Sequence, residues 1–162
     1  MNSERKRLLF DLTVWITAPL LVFTLLAVDA QGRSRGLTAD NAIWRTECGS
    51  CHVAYPPALL PSAEWRQLVG SLDRHFGVDA SIDTNTATEI DRFLVANAGR
   101  GDGRAAEEQP RITTTRWFRR KHDEVSAAVF RSSSIKTAAN CAACHPGAAA
   151  ADFNEHAVRI PR

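Results

Sequence analysis

Two copies of one cysteine–histidine pentapeptide carry the chemistry that this sequence offers. All four cysteines of the 162-residue chain lie in Cys-Gly-Ser-Cys-His at 48–52 and Cys-Ala-Ala-Cys-His at 141–145. Cys-x-x-Cys-His is the attachment sequence of c-type haem. Residues three apart share a face of a helical turn, so both thiols can bond to one side of a porphyrin while the next histidine reaches the iron. The sequence therefore predicts two haem c groups, with these attachment and first axial residues: Cys48, Cys51, Cys141 and Cys144 for the thioethers, His52 and His145 for the irons.

Zinc and dithiol chemistry are the alternatives for the same cysteines. Zinc ribbons usually place two Cys-x-x-Cys pairs about 15–20 residues apart, whereas Cys51 and Cys141 are separated by 90 positions. A thioredoxin-like dithiol would follow a strand, and no strand pattern precedes either motif. Both alternatives are weaker than two covalent haems.

The sixth iron position has few candidates. The single methionine is Met1, so the methionine ligand of many cytochromes c is absent from the rest of the chain. The uncommitted histidines are His75, His122 and His156, and Lys121 and Lys136 are possible in principle. We predict His75 for the first haem and His122, in preference to His156, for the second. Two imidazoles favour ferric iron relative to histidine with methionine, which predicts low potentials.

The N-terminus has the pattern of an exported protein. Residues 1–30 combine a basic start, an apolar stretch at 8–28 and small residues at 28–30, which is typical of a signal peptide. An uncleaved membrane anchor is the competing interpretation, since 12–28 reaches the lower limit of about 17 residues for a span. Either way we expect a periplasmic protein, soluble or tethered to the inner membrane.

The remaining chain divides at a linker. Residues 100–110 are rich in glycine and charge, and they separate an N-terminal haem domain at 31–99 from a C-terminal haem domain at 111–162. Domains this small bury little apolar surface, so each needs its haem as part of the core. A net charge of +2 with 23% charged residues excludes a strongly basic nucleic-acid binder.

Helical spacing of apolar residues predicts an all-α fold. In the first domain we expect a helix capped by Thr38 or Asp40 before the first motif, a second from Ser62 to Gly77, and a third over 84–98. This order of helices, haem motif and loop is similar to a class I cytochrome c domain. In the second domain we expect a helix including 125–129 and another, capped by Ser134, that leads into the second motif.

These features together resemble the dihaem cytochrome c family of proteobacteria. The resemblance runs from about Thr46 to Pro161 and rests on these segments: 47–52, Pro56-Pro57, 59–61, Trp65, 75–77, Asp79-Ala80, Trp117-Phe118, His122, 140–145 and 159–161. It implies a periplasmic two-domain electron carrier with bis-histidine haems, which by position matches His75 and His122. It also implies a small oxygen-binding monohaem cytochrome c and a membrane cytochrome b as redox partners.

We therefore predict an electron carrier rather than an enzyme. A carrier needs no catalytic acid, base or nucleophile. Two alternatives stay open at this point: a haem protein with one open iron that binds or reduces oxygen, a nitrogen oxide or peroxide, and the dihaem electron-transfer subunit of a periplasmic reductase.

Overall fold

The described part of the chain consists of helices joined by turns and irregular segments. The computed structural model describes residues 39–101 and 108–161. These ranges contain helices, 3₁₀ turns and two isolated β-bridges. They contain no β-strand, which confirms the prediction of a helical fold. Both ranges belong to one compact unit, Gly36–Arg162. None of the helices in these ranges has the length and apolarity that a membrane crossing requires. The expected leader at 1–30 and residues 102–107 of the expected linker lie outside the described residues.

Helix α1, Ala42–Cys48, leads directly into the first motif. Its N-cap is Asn41, whose side-chain oxygen accepts from the amide of Trp44 at 2.8 Å, so the prediction of Asp40 as the cap is wrong. Asn41 takes this role because its extended backbone places the side chain over the first free amides. Asp40 instead forms an ion pair with Arg45. Thr38, the other predicted cap, lies outside the described residues.

Helix α2, Ser62–Val69, is shorter than the spacing of apolar residues predicts. It ends before Gly70 rather than at Gly77, because the backbone of Ser71 leaves the helical region with φ −135° and ψ 32°. The Ser71 hydroxyl donates to the carbonyl of Gln67 at 2.8 Å, which satisfies one of the last carbonyls of the helix. The predicted cap is also wrong, since Pro61 occupies the N-cap position without a side-chain hydrogen bond. A 3₁₀ turn, Leu72–Arg74, then leads to His75.

Helix α3, Thr84–Ala96, is the last helix of the first half of the described chain, 39–101, and its bounds are close to the predicted ones. The second half is 108–161. The Asp83 carboxylate caps it by accepting from the amides of Asn85 and Thr86. Helices α1 and α2 both pack on α3. The core beneath them consists of six buried side chains: Trp44, Leu60, Trp65, Leu68, Ile90 and Leu94.

The second half contains two short helices, α4, Arg116–Lys121, and α5, Ala127–Phe130. The predicted helix from Ser134 into the second motif is wrong, because that segment forms turns. Lys136 has φ +72°, a left-handed conformation that interrupts a right-handed helix. The Asn140 side chain donates to the carbonyl of Ile135 at 3.1 Å and stabilises the turn instead. The second motif consequently begins on a 3₁₀ turn, Cys141–Ala143.

Direct contacts join the two halves. Gln67 donates to the carbonyl of Glu108 at 2.7 Å, and Gln109 donates to the carbonyl of Arg74 at 2.6 Å. Ile112 packs against the core of the first half. The division into domains at 31–99 and 111–162 stays a prediction.

Candidate haem-binding sites

The structure brings His52 and His75 together as one pair. Their ring centroids are 6.2 Å apart, and their planes differ by 28°. A metal–imidazole nitrogen bond is about 2.0–2.1 Å long, which puts the centroids of two imidazoles on opposite sides of one metal roughly 6.3 Å apart. The pair therefore has the spacing of two axial ligands on one iron.

His122 and His145 form a second pair with the same spacing. Their ring centroids are 6.1 Å apart, but their planes differ by 78°. The predicted axial residues are thus brought together in the predicted pairs, one pair for each Cys-x-x-Cys-His motif.

Local structure positions the rings of the first pair. His52 lies four residues beyond the end of α1, and its Nδ1 is 2.8 Å from the carbonyl oxygen of Val53. Because the carbonyl can only accept, Nδ1 carries the proton and leaves Nε2 free to bind a metal. On the other side, Phe76 and Gly77 both have positive φ, +50° and +94°, so the chain reverses directly after His75. The amide of Val78 donates back to the carbonyl of His75 at 3.1 Å.

Aromatic side chains surround the rings of the second pair. His122 follows α4, and its Nδ1 lies 2.9 Å from the carbonyl of Phe118, which again selects the tautomer with a free Nε2. The ring of Phe118 stacks on His122 at 4.1 Å, and Phe153 meets His145 edge-on at 5.4 Å. A cavity of about 330 Å³ is lined in part by His122, Phe118 and Phe130, and His145 is not among its lining residues.

Burial favours the neutral form of one histidine in each pair. Desolvation lowers the pKa of His75, with a smaller contribution from nearby His52. Desolvation likewise lowers the pKa of His145, where His122 also lowers it and Asp152 raises it. Neutral imidazole is the form that binds metal. The Nδ1 atoms of His75 and His145 are buried without a hydrogen-bond partner in the described polypeptide, so a partner for these groups has to come from outside it.

The four cysteines lack the features of a redox pair or a zinc site. None of them forms a disulfide within the polypeptide. Burial raises the pKa of the Cys48 thiol to about 11, with a smaller contribution from Glu47, and burial also raises the pKa of Cys141 and Cys144. Catalytic dithiols need lowered pKa values instead. Within 39–101 and 108–161, no group of three or more cysteine, histidine or acidic side chains is placed to hold a metal ion. The donor set fits haem, which takes two thioethers and two imidazoles per site.

The other predicted ligand candidates lie elsewhere. His156 is on an exposed 3₁₀ turn, Glu155–Ala157. The Lys121 ammonium group is 2.6 Å from the Glu155 carboxylate, and Lys136 is exposed at the left-handed turn described above.

Comparison with known proteins decides the family. The family model for dihaem cytochrome c matches residues 44–153. The chain belongs to the dihaem cytochrome c family. As a member of this family it carries two haem c groups, and the family's proteins are electron carriers.

Solved structures of dihaem cytochromes are similar to this chain over most of their own length. A diheme cytochrome c from Rhodobacter sphaeroides is 43% identical with a TM-score of 0.61, and the match covers 69% of this chain and 95% of that one. A diheme cytochrome from Shewanella baltica OS155 is 36% identical with a TM-score of 0.66, covering 75% of this chain and 93% of that one. No curated protein matches the chain.

Sequence reasoning missed the residues that hold the imidazoles. Tyr55 stacks on His52 with ring centroids 4.6 Å apart and planes 19° apart, and Phe118 stacks on His122. For the second site a signal was present, because Phe118 lies four positions before His122, a spacing at which side chains on a helical turn meet. No such signal marked Tyr55, because residues 53–56 form no helix.

Proposed function

We propose that this protein is a low-potential electron carrier in which each haem iron has two histidine ligands. His52 with His75 would hold the first iron, and His122 with His145 the second. The observation that supports this most strongly is the spacing of the paired rings, 6.2 Å and 6.1 Å between centroids. With one iron bound between its two rings, each pair would leave no axial position for an external ligand, which argues against an open iron that binds oxygen, nitrogen oxide or peroxide.

Haem iron supplies reversible one-electron chemistry, and the polypeptide sets its ligands, its orientation and its surroundings. Here the backbone carbonyls of Val53 and Phe118 fix the tautomer of one histidine in each pair. Hydrogen-bonded imidazoles are more basic and favour the ferric state, which lowers the potential. Neither ligand has to leave during electron transfer, so little of the site has to move.

The cellular setting is part of the same proposal. The pattern at 1–30 favours export to the periplasm, with 31–99 and 111–162 as the two haem domains. Redox proteins are the partners that fit a carrier, and the family resemblance suggests a small monohaem cytochrome c and a membrane cytochrome b.

A redox titration with carbon monoxide as a probe tests the proposal. We expect both haems to titrate reversibly at potentials below those of histidine–methionine cytochromes c. We also expect the reduced protein to keep its absorption spectrum under carbon monoxide, because both axial positions are filled. Rapid carbon monoxide binding at either haem, or turnover with peroxide, would contradict an electron carrier of this kind.

A further inference from the structure

Tyr55 links the first haem site to the turn before the second attachment motif, and neither the family assignment nor the proposed ligation gives it a role. It is the only tyrosine in the chain. Its ring lies flat against the imidazole of His52, at 4.6 Å and 19°. Its hydroxyl donates to the carbonyl of Ala139, 84 residues further along the chain, at 2.7 Å.

Ala139 lies two residues before Cys141, the first residue of the second attachment motif. Its carbonyl also accepts a hydrogen bond from the amide of Cys141 at 3.0 Å. One acceptor is therefore shared by the tyrosine that stacks on the first histidine and by the first thioether cysteine of the second haem. Tyr55 is also partly buried against the apolar core of the first half.

We propose that Tyr55 is a positioning residue shared by the two haem sites. Its ring fixes the plane of the His52 imidazole, and its hydroxyl fixes the turn that presents Cys141. This inference rests on the proposed function, because it takes His52 to be an axial ligand of the first haem.

The plane of an axial imidazole has a spectroscopic signature. The angle between two imidazole planes on one ferric iron sets the splitting of the two d orbitals that overlap with the imidazole π systems. Nearly parallel planes separate these orbitals and give a smaller largest g value in electron paramagnetic resonance, whereas nearly perpendicular planes give a larger one. The planes of His52 and His75 differ by 28°, so a change in the plane of His52 would shift or broaden the signal of the first haem.

Two substitutions separate the ring from the hydroxyl. Tyr55→Phe keeps an aromatic ring on His52 and removes the hydrogen bond to Ala139, while Tyr55→Leu removes both. Gln67→Leu is the matched control, since Gln67 also donates from a side chain to a carbonyl of the other half, that of Glu108, at 2.7 Å. All three variants are made as holoproteins with both haems attached.

We expect the signal of the first haem to shift or broaden in Tyr55→Leu and to stay unchanged in Tyr55→Phe and in Gln67→Leu. We also expect both Tyr55 variants to show about fivefold faster amide hydrogen exchange at 137–145, which is the effect of losing one typical hydrogen bond. In Gln67→Leu the exchange at 137–145 should be unchanged.

Either of two results would overturn the role of Tyr55: a wild-type signal of the first haem in Tyr55→Leu, or wild-type exchange at 137–145 in Tyr55→Phe. A failure of the proposed function looks different. In that case the unsubstituted protein itself would show a high-spin signal from the first haem.

Discussion

The two histidine pairs share a spacing but differ in orientation. The planes of His52 and His75 are 28° apart, and those of His122 and His145 are 78° apart. The difference has local causes. Tyr55 and the Val53 carbonyl set the ring of His52, whereas Phe118 supplies both the stacking ring and the carbonyl that set His122.

This difference predicts two distinct low-spin signals in the oxidised protein. The haem that we propose to be held by His122 and His145 should give the larger maximum g value, because the planes of these two rings are nearly perpendicular. Electron paramagnetic resonance at low temperature measures both signals, and their loss during a stepwise reduction assigns a potential to each. Two superimposable signals would contradict the geometry of the pairs.

At the level of elements, the sequence predicted which segments are helical in the first half better than in the second. Helix α3 has the predicted face, because Ile90 and Leu94 recur at helical spacing beside a strong cap at Asp83. The end of α2 was misplaced, since the apolar spacing continues through Leu72 while the backbone changes to a 3₁₀ turn after Gly70. The spacing of apolar residues indicates which side of a segment is buried, but it does not distinguish an α-helix from a series of turns.

The second half was less predictable for a related reason. Its segments are short, and side chains such as Asn140 hydrogen-bond to the backbone in place of helical partners. Even so, the axial pairs could be predicted, because the motifs and the small number of histidines restrict the choice more tightly than the helices do. The angles between the paired imidazole planes and the role of Tyr55 could not be predicted, because they depend on tertiary contacts.

A close backbone approach connects α3 to the loop after the first motif. Gly99 donates from its amide to the carbonyl of Leu60 at 2.9 Å, and a β-carbon on Gly99 would overlap the backbone of Ala58. We expect Gly99→Ala to lower the free energy of unfolding by about 1–3 kcal/mol, as overpacking typically does. Chemical denaturation of the holoprotein measures the change.

Gly101→Ala is the matched control for this prediction. A β-carbon there would meet Pro61 at 3.8 Å, an ordinary van der Waals contact, so the free energy of unfolding should change little. Equal stabilities of the two variants would show that Gly99 is not required for the approach.

Across the whole molecule, apolar burial is unequal between the halves. The first half buries six large apolar side chains in one cluster. In 108–161, the buried hydrophobic residues are Phe118, Ile135 and Ala148. A core this small contributes little to folding, so the second half should depend more on its haem than the first.

Removing one haem at a time tests this dependence. In the double variant Cys141→Ser with Cys144→Ser we expect amide protection to be lost over 108–161 and retained around Trp65 and Leu94. The matched variant, Cys48→Ser with Cys51→Ser, should retain part of the protection of the first half because its apolar cluster remains. Unchanged protection over 108–161 without the second haem would refute a haem-dependent core.

The central claim is that each iron is held by two histidines, and substitution of single histidines tests it most directly. Electron paramagnetic resonance of the oxidised protein should show two low-spin ferric haems. His75→Ala should convert only the first to a high-spin or otherwise altered signal, His122→Ala only the second, and His156→Ala neither. Loss of a low-spin signal in His156→Ala, or its persistence unchanged in His75→Ala or His122→Ala, would contradict the assignment.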